Sequence, residues 1–335
     1  MAATALGQSI DVISSIPPAA RRILRDGVLC HLASDAPAGP HLTPVVFVLD
    51  GGTLWLTTAR SSVKARSWRR NPRVAGLVRA GEGAVSFRGT VRTYDALDLS
   101  SWPAATVAGP RLVRAATRFS MKNARFFAGY AVDANRVPFA WTPPGRVFAS
   151  VRIDGGAVLV DGTVTEEWGF EKANGVHPAT RFSPHTGRAR SLDLGVPAQV
   201  RRAFGTSGGG TVALSAPDGA MTALPARWRR VGTENRFDAV APVAFAALTG
   251  TRSGLPGALT IDRASSWRAS EMMGILLRGA VEVFVPDAVR SGRRALRDTV
   301  IRAAGGDPAA DVALLRLRPR RVVWWDGWTS GTVTR

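Results

Sequence analysis

The sequence predicts a mainly β fold with short flanking helices (α+β), built as two tandem copies of one unit. Three observations carry this. Short apolar runs follow one another between turns rich in Gly, Pro and Asp, segments of the first half return in order in the second, and 335 residues suit two domains.

The first copy opens with a proline-started helix at Ile16-Pro17-Pro18-Ala19-Ala20-Arg21-Arg22. Val28 to Ala33 then reads as a strand, Asp35 to Pro40 as a turn, and His41 to Leu49 as a second strand. Asp50-Gly51-Gly52 turns the chain into a third strand, Thr53 to Thr58. Ser62 to Arg70 has helical character and stops before Asn71-Pro72, because the residue preceding proline is pushed out of the α region. Val74 to Val78 and Ala84 to Thr93 supply two more strands. Ala96 to Tyr130 forms a mostly helical excursion, with Leu112–Phe127 at its centre, before a closing strand at Arg146–Ile153.

The exit of the third strand, Thr57-Thr58-Ala59-Arg60-Ser61-Ser62-Val63-Lys64, joins a fixed cation, hydroxyls and fresh helix N–H groups, which can converge on one phosphate. The plainer reading makes Ser61 or Ser62 an N-cap and Lys64 a solvated first-turn cation. Context resembles the pyridoxamine 5′-phosphate oxidase-like split-barrel family, whose members bind flavin mononucleotide (FMN) or the deazaflavin F-420. The resemblance rests on Pro40-His41-Leu42-Thr43-Pro44-Val45, Leu54-Trp55-Leu56-Thr57-Thr58, Ser61-Ser62-Val63-Lys64, Arg70-Asn71-Pro72-Arg73-Val74 and Phe87-Arg88-Gly89-Thr90-Val91, in register across residues 20–95. It implies Greek-key split β-barrels and a cofactor phosphate held by Lys64 with Ser61 and Ser62, helped by Arg60 or Thr58. His41 and Thr43 share a strand face and are candidates to line the cofactor ring. Many flavin-binding relatives carry Arg directly before this Lys, where this chain has Val63.

The repeat is read from echoes. Pro17 with Arg21-Arg22 returns as Pro197 with Arg201-Arg202, an offset of 180. Phe87-Arg88-Gly89-Thr90-Val91 returns as Leu277-Arg278-Gly279-Ala280-Val281, and Gly145-Arg146-Val147-Phe148 as Arg320-Arg321-Val322-Val323. The second copy has expected strands at Thr211–Ser215, Ala220–Arg230, Arg236–Val240, Ala258–Ile261 and Gly274–Phe284. Where the first has Ser-Ser-x-Lys, it has the apolar Pro242 to Gly250, and Ser265-Ser266-Trp267-Arg268 falls in a hairpin loop. The expected domains are 1–160, with the phosphate site, and 194–335, degenerate, joined by a linker or lid at 161–193 that holds His177 and His185. Family members usually dimerise around the cofactor, so the resemblance implies an intramolecular pseudo-dimer with one site, a homodimer of the whole remaining open. Trp324-Trp325-Asp326-Gly327-Trp328 is the candidate wall, its alternative being inter-domain core.

Composition narrows the partners. The formal charge is +19, but lysine occurs only at Lys64, Lys122 and Lys172 among 44 basic residues, and the arginines are scattered pairs without a nucleic-acid-binding motif. That argues against specific nucleic-acid binding and favours weak salt-sensitive adsorption. Arg111, Arg114, Arg118, Lys122 and Arg125 form one basic helical face, read as solvated surface or as a contact for an acidic substrate or polyanionic cofactor tail. A lone Cys30 fits a reducing cytoplasm as an inert core residue, no apolar run reaches the ~18 residues of a membrane span, and the histidines have no metal-ligand spacing. No catalytic acid, base or nucleophile set is visible, which suits a cofactor that carries the hydride chemistry. The expectation is a cytoplasmic FMN-dependent oxidoreductase acting on a small molecule. Its alternatives are a deazaflavin-dependent reductase and a non-catalytic flavin- or haem-binding sensor, carrier or scaffold.

Overall fold

The computed structural model describes residues 16–95, 97–98, 101–137, 145–169, 195–231, 236–243, 254–263, 265, 268–284, 298–303, 305–310 and 312–334. The first half runs α1 (Pro18–Asp26), β1 (Leu29–Ser34), β2 (His41–Asp50), β3 (Thr53–Ala59), α2 (Val63–Arg70), β4 (Arg73–Ala80) and β5 (Gly83–Tyr94). Helices α3 (Trp102–Val107), α4 (Gly109–Lys122) and α5 (Ala124–Val132) precede β6 (Arg146–Val160) and β7 (Thr163–Trp168). The second half runs α6 (Ala198–Phe204), β8 (Ser207–Ser215), β9 (Met221–Arg230), β10 (Phe237–Pro242), β11 (Pro256–Arg263), β12 (Met273–Phe284), β13 (Val312–Asp326) and β14 (Thr329–Thr334).

Both halves have one topology. The sheet orders are β3-β2-β1-β4-β5-β6-β7 and β10-β9-β8-β11-β12-β13-β14, closed by β3–β6 and β10–β13 pairings. Each is therefore a closed antiparallel barrel of six strands with a seventh extending its last hairpin. The match extends to a defect: register shifts at Arg88/Gly89 in β5 and at Arg278/Gly279 in β12. A bulge of this kind bends long strands so that a sheet can close. A Cβ on Gly89 would meet the Arg152 carbonyl, and one on Gly279 the Arg318 carbonyl, so glycine at both bulges is a steric requirement.

Each barrel has its own core. Leu32, Phe47, Leu54, Trp68 and Phe87 fill the first, with Cys30 among them, and Leu224, Trp228, Leu259 and Leu315 fill the second. Ala33, Leu42, Leu77, Ala223, Ala258 and Leu276 form a third cluster between the barrels. Small residues there let the two sheets approach closely. Hydroxyls add hydrogen bonds across the join: Ser86 donates to the Ala223 carbonyl and Thr260 to that of Leu42, both at 2.7 Å. By register Leu42 and Ala223 occupy equivalent positions, opposite Ala33 and Ala213. The halves thus dock about a pseudo-two-fold axis, as a fused pair should.

The structure refines several expected boundaries. Strand β7 begins inside the segment read as a linker, whose residues 170–194, His177 and His185 included, lie outside the described residues. The central excursion helix is broken at Asn123, whose side chain donates to the Phe119 carbonyl at 2.9 Å and ends α4. Most of Pro242 to Gly250 also lies outside the described residues, with Pro242 closing β10.

Candidate functional site

The residues expected to hold a phosphate lie where β3 passes into α2. Thr58 and Ser62 hydroxyls meet at 3.1 Å, and the Ser62 oxygen accepts the Ala65 N–H at 3.1 Å. Ser62 is thus the N-cap of α2, and Ser61 is exposed beside it. Arg60 turns away: its guanidinium pairs with buried Asp95, and its N–H donates to the Gly145 carbonyl at 2.9 Å.

Lys64 is not a solvated first-turn cation. It is 6% exposed and makes no hydrogen bond or ion pair with a described residue. Burial pushes its ammonium down to about 7 and the Arg146 charge adds to this, while Cys30 opposes it. Arg146 is half-buried and donates to the Thr57 hydroxyl and carbonyl, each at 3.0 Å.

His41 and Thr43 alternate onto the strand face that carries Val45 and Phe47 into the first core, and both are half-buried. The buried His41 Nδ1 has no hydrogen-bond partner among the described residues. Burial first, then the charges of Lys64, Arg278 and Arg321, push its imidazole down to about 3. The structure therefore brings Lys64 and His41 into one neighbourhood and adds two arginines of the second barrel to it.

Arg278 and Arg321 are missing from the candidates read in the sequence. They stand directly opposite each other on β12 and β13. Arg278 is 3% exposed, its Nη2 donates to the Gly39 carbonyl two residues before His41, and its Nε, like that of Arg321, is buried without a partner among the described residues. Burial, then Arg321, lowers Arg278 to about 10 against the opposing pull of Asp35. A signal existed for Arg278, which echoes Arg88 in register, but the echo of Gly145–Phe148 at Arg320–Val323 is out of register: Arg146 corresponds to Val312, and Arg321 takes the place of Gly155.

The aromatic wall separates into three roles. Trp324 packs against the second core, Trp325 enters the cluster between barrels, and Trp328 meets Tyr130 of α5 with ring centroids 5.4 Å apart. The basic face of α4 is largely engaged: Arg114 and Arg118 hold buried Asp50 at 2.9 and 2.5 Å, and Lys122 donates to the Gly27 carbonyl at 2.6 Å. Among the described residues, no group of His, Cys, Asp and Glu is arranged to hold a metal, and no helix is long and apolar enough to cross a membrane.

A cleft of about 1370 Å³ lies elsewhere, between the β4–β5 and β6–β7 turns of the first barrel and the exit of β10 in the second. By strand register the exit of β10 is equivalent to that of β3, since Pro242 pairs with Val312 as Ala59 pairs with Arg146. The cleft carries Asp26, Glu82, Asp161, Asp262 and Asp307 against Arg79, Arg227 and a His31 already bound to Asp262 at 2.9 Å. Its volume exceeds the roughly 300–1,000 Å³ of ordinary small-molecule sites, but its carboxylates oppose a phosphate. For an anion, electrostatics favours the Lys64 side over the larger space.

Residues 18–110 match the family model described as pyridoxamine 5′-phosphate oxidase. No curated protein matches the chain. Among solved structures, the chain is similar to General Stress Protein 26 from Bacillus anthracis, with 16% identity over 43% of this chain and 93% of that one and a TM-score of 0.29. It is also similar to an F420 reductase, with 19% identity over 41% of this chain and 94% of that one (TM-score 0.28). A FAD-binding protein from Mesorhizobium loti shares 19% identity over 41% of this chain and 89% of that one (TM-score 0.30).

Proposed function

Taking as premise that the first barrel, through residues 18–110, is a member of the pyridoxamine 5′-phosphate oxidase-like family, we propose that the chain binds one flavin-type cofactor at the Lys64 side and acts as an oxidoreductase on a small molecule. FMN is the first choice. The single observation that carries this is Lys64: a buried ammonium without a counter-ion among the described residues is costly, and a phosphate would supply the missing partner. The surrounding groups fit. Exposed Ser61 offers a hydroxyl, the first turn of α2 offers backbone N–H groups, and the Ser62 cap holds that turn in place.

When bound, the isoalloxazine ring supplies the hydride or electron transfer, and this chain's residues supply position and field. Arg146, fixed by two bonds to Thr57, keeps a second cation behind the phosphate position. Neutral His41 offers a hydrogen-bonding edge without a competing charge. Val63, standing where many flavin-binding relatives have Arg, favours two further readings: the deazaflavin F-420 in place of FMN, or a non-catalytic ligand-binding protein.

The test is the visible spectrum of the purified protein, followed by separate titrations with FMN and F-420. Saturable binding of either supports the reading and identifies the cofactor. Well-folded protein that binds neither contradicts it.

A further inference from the structure

The join between the barrels has two pseudo-equivalent ends, and they are finished differently. At one end Arg88 of β5 reaches the second barrel, where its guanidinium donates to the Met221 carbonyl at 2.9 Å and to the Thr222 hydroxyl at 2.6 Å. At the other end Arg278 holds the same place in β12, beside the same bulge, and His41 replaces Thr222 by register, opposite Ser34 as Thr222 is opposite Leu214.

Here the hydrogen bonding stays incomplete. Among the described residues Arg278 has one hydrogen-bond partner, the Gly39 carbonyl, and its buried Nε has none. The cross-strand partner of Arg88 is Gly155, whereas that of Arg278 is Arg321. Like charges directly opposite on a sheet repel, and a buried cation without an acceptor is costly. Arg321 makes no hydrogen bond or ion pair with a described residue, and its Nε is buried. Alternation places Arg321 on the strand face of Val323 and Trp325, and Arg278 on that of Leu276, all three in the cluster between barrels. The acid that acts on Arg278 is Asp35, which is exposed and accepts a hydrogen bond from Asn71 at 3.2 Å.

We propose that Arg278 and Arg321 of the second barrel, with His41 of the first beside them, form a second anion-holding subsite at the join, for the carboxylate or phosphate of the small-molecule substrate or of the cofactor's own tail. The donor set decides the chemistry: planar guanidinium forks match a carboxylate or phosphate, and an anion relieves the repulsion between the two arginines. The subsite makes the degenerate barrel a contributor of ligand contacts. Its assignment to substrate or tail rests on the cofactor reading above, but the subsite itself is tested without it.

Inorganic phosphate is the probe, with its affinity measured by calorimetry and its stabilisation of the folded chain by thermal unfolding. The expected result is that Arg321→Gln weakens phosphate binding about tenfold or more, as loss of a charge-assisted contact does, while Arg88→Gln leaves it within about twofold. Arg88→Gln removes the same charge at the mirror position and so controls for general attraction to a basic protein. Arg278→Gln should match Arg321→Gln. If it fails to fold, Arg321→Gln carries the test, because no hydrogen bond to a described residue depends on Arg321. In Lys64→Ala the Arg321-dependent part must persist, which separates this subsite from the cofactor phosphate site. Equal phosphate binding by wild type and Arg321→Gln, or its abolition by Lys64→Ala alone, overturns the proposal. Saturation with F-420 then separates the sources: an Arg321-dependent response that disappears assigns the subsite to the cofactor tail, and one that persists assigns it to the substrate.

Discussion

At equivalent positions the two barrels solve the same packing problem with opposite chemistry. In the first, Trp55 on β3 stacks on Tyr94 at 5.7 Å and Phe148 at 5.5 Å, under the helices of the excursion. In the second, the register puts Asp238 in the place of Trp55 and Arg316 in that of Ser150, and the two form an ion pair at 2.9 Å, each with a side chain 1% exposed. The strand order, closure and bulge are unchanged. A barrel wall of this kind requires filled volume, and either an aromatic stack or a fully buried ion pair can supply it. Chemistry at a site can therefore diverge between copies while the topology persists.

The largest expected effects break this comparison directly. Trp55→Ala removes the centre of the stack and should cost about 3–5 kcal/mol in denaturant unfolding. Asp238→Asn strands the Arg316 charge and should cost a similar ~3–5 kcal/mol, whereas replacing both partners by Leu should be neutral or stabilising. If Asp238→Asn is no worse than an ordinary surface change, the ion pair does not take the place of the stack.

Next in size is the contrast between the two ends of the join. Arg88→Gln gives up charge-assisted bonds to Met221 and Thr222 and should destabilise by about 1.5–3 kcal/mol, whereas Arg321→Gln removes a repelling charge and should be neutral or stabilising without ligand. Equal losses from both would mean that Arg321 is as well satisfied as its mirror.

Much of this was legible in the sequence because it is local. Turn residues at Asp50-Gly51-Gly52 separate β2 from β3, Asn71-Pro72 stops α2, and the 180-residue echo of Pro17 falls on the helix that enters the second barrel. The place of Lys64 at a helix start was equally readable, although its burial was not, since that depends on how α2 lies against the barrel. Arg278 and Arg321 escaped because they gain meaning only when β12 pairs with β13 and the barrels dock. The basic stripe of α4 and the start of α5 is a solvated face, with Arg111, Arg114, Arg118 and Arg125 exposed, but its period does not reveal that Asp50, far away in sequence, pairs with Arg114 and Arg118.

The smallest effects are pH slopes. The Lys64 ammonium sits at about 7 in the folded chain against an ordinary 10.5, so above pH 7 the unfolded chain binds the proton that the folded one has lost. Stability without ligand should therefore rise with pH through that window, with Lys122, at about 8, adding to the rise. Cys30, held up at about 12 from 9.0, opposes it only above pH 9. Thermal unfolding of Lys64→Met should lack the rise between pH 7 and 8. Anion binding has the opposite sign, because the bound phosphate needs the protonated form: FMN affinity should fall above pH 7, by at most about tenfold per unit, and Lys64→Arg should flatten the fall. A pH-independent wild type would place the phosphate away from Lys64.

The most direct test of the central claim is an equilibrium titration of FMN and F-420 against wild type and Lys64→Ala at pH 7. The account predicts saturable binding of one cofactor by wild type and a loss of about tenfold or more in Lys64→Ala, equivalent to a charge-assisted contact of ~1.5–3 kcal/mol. Equal affinity in the two proteins would contradict it.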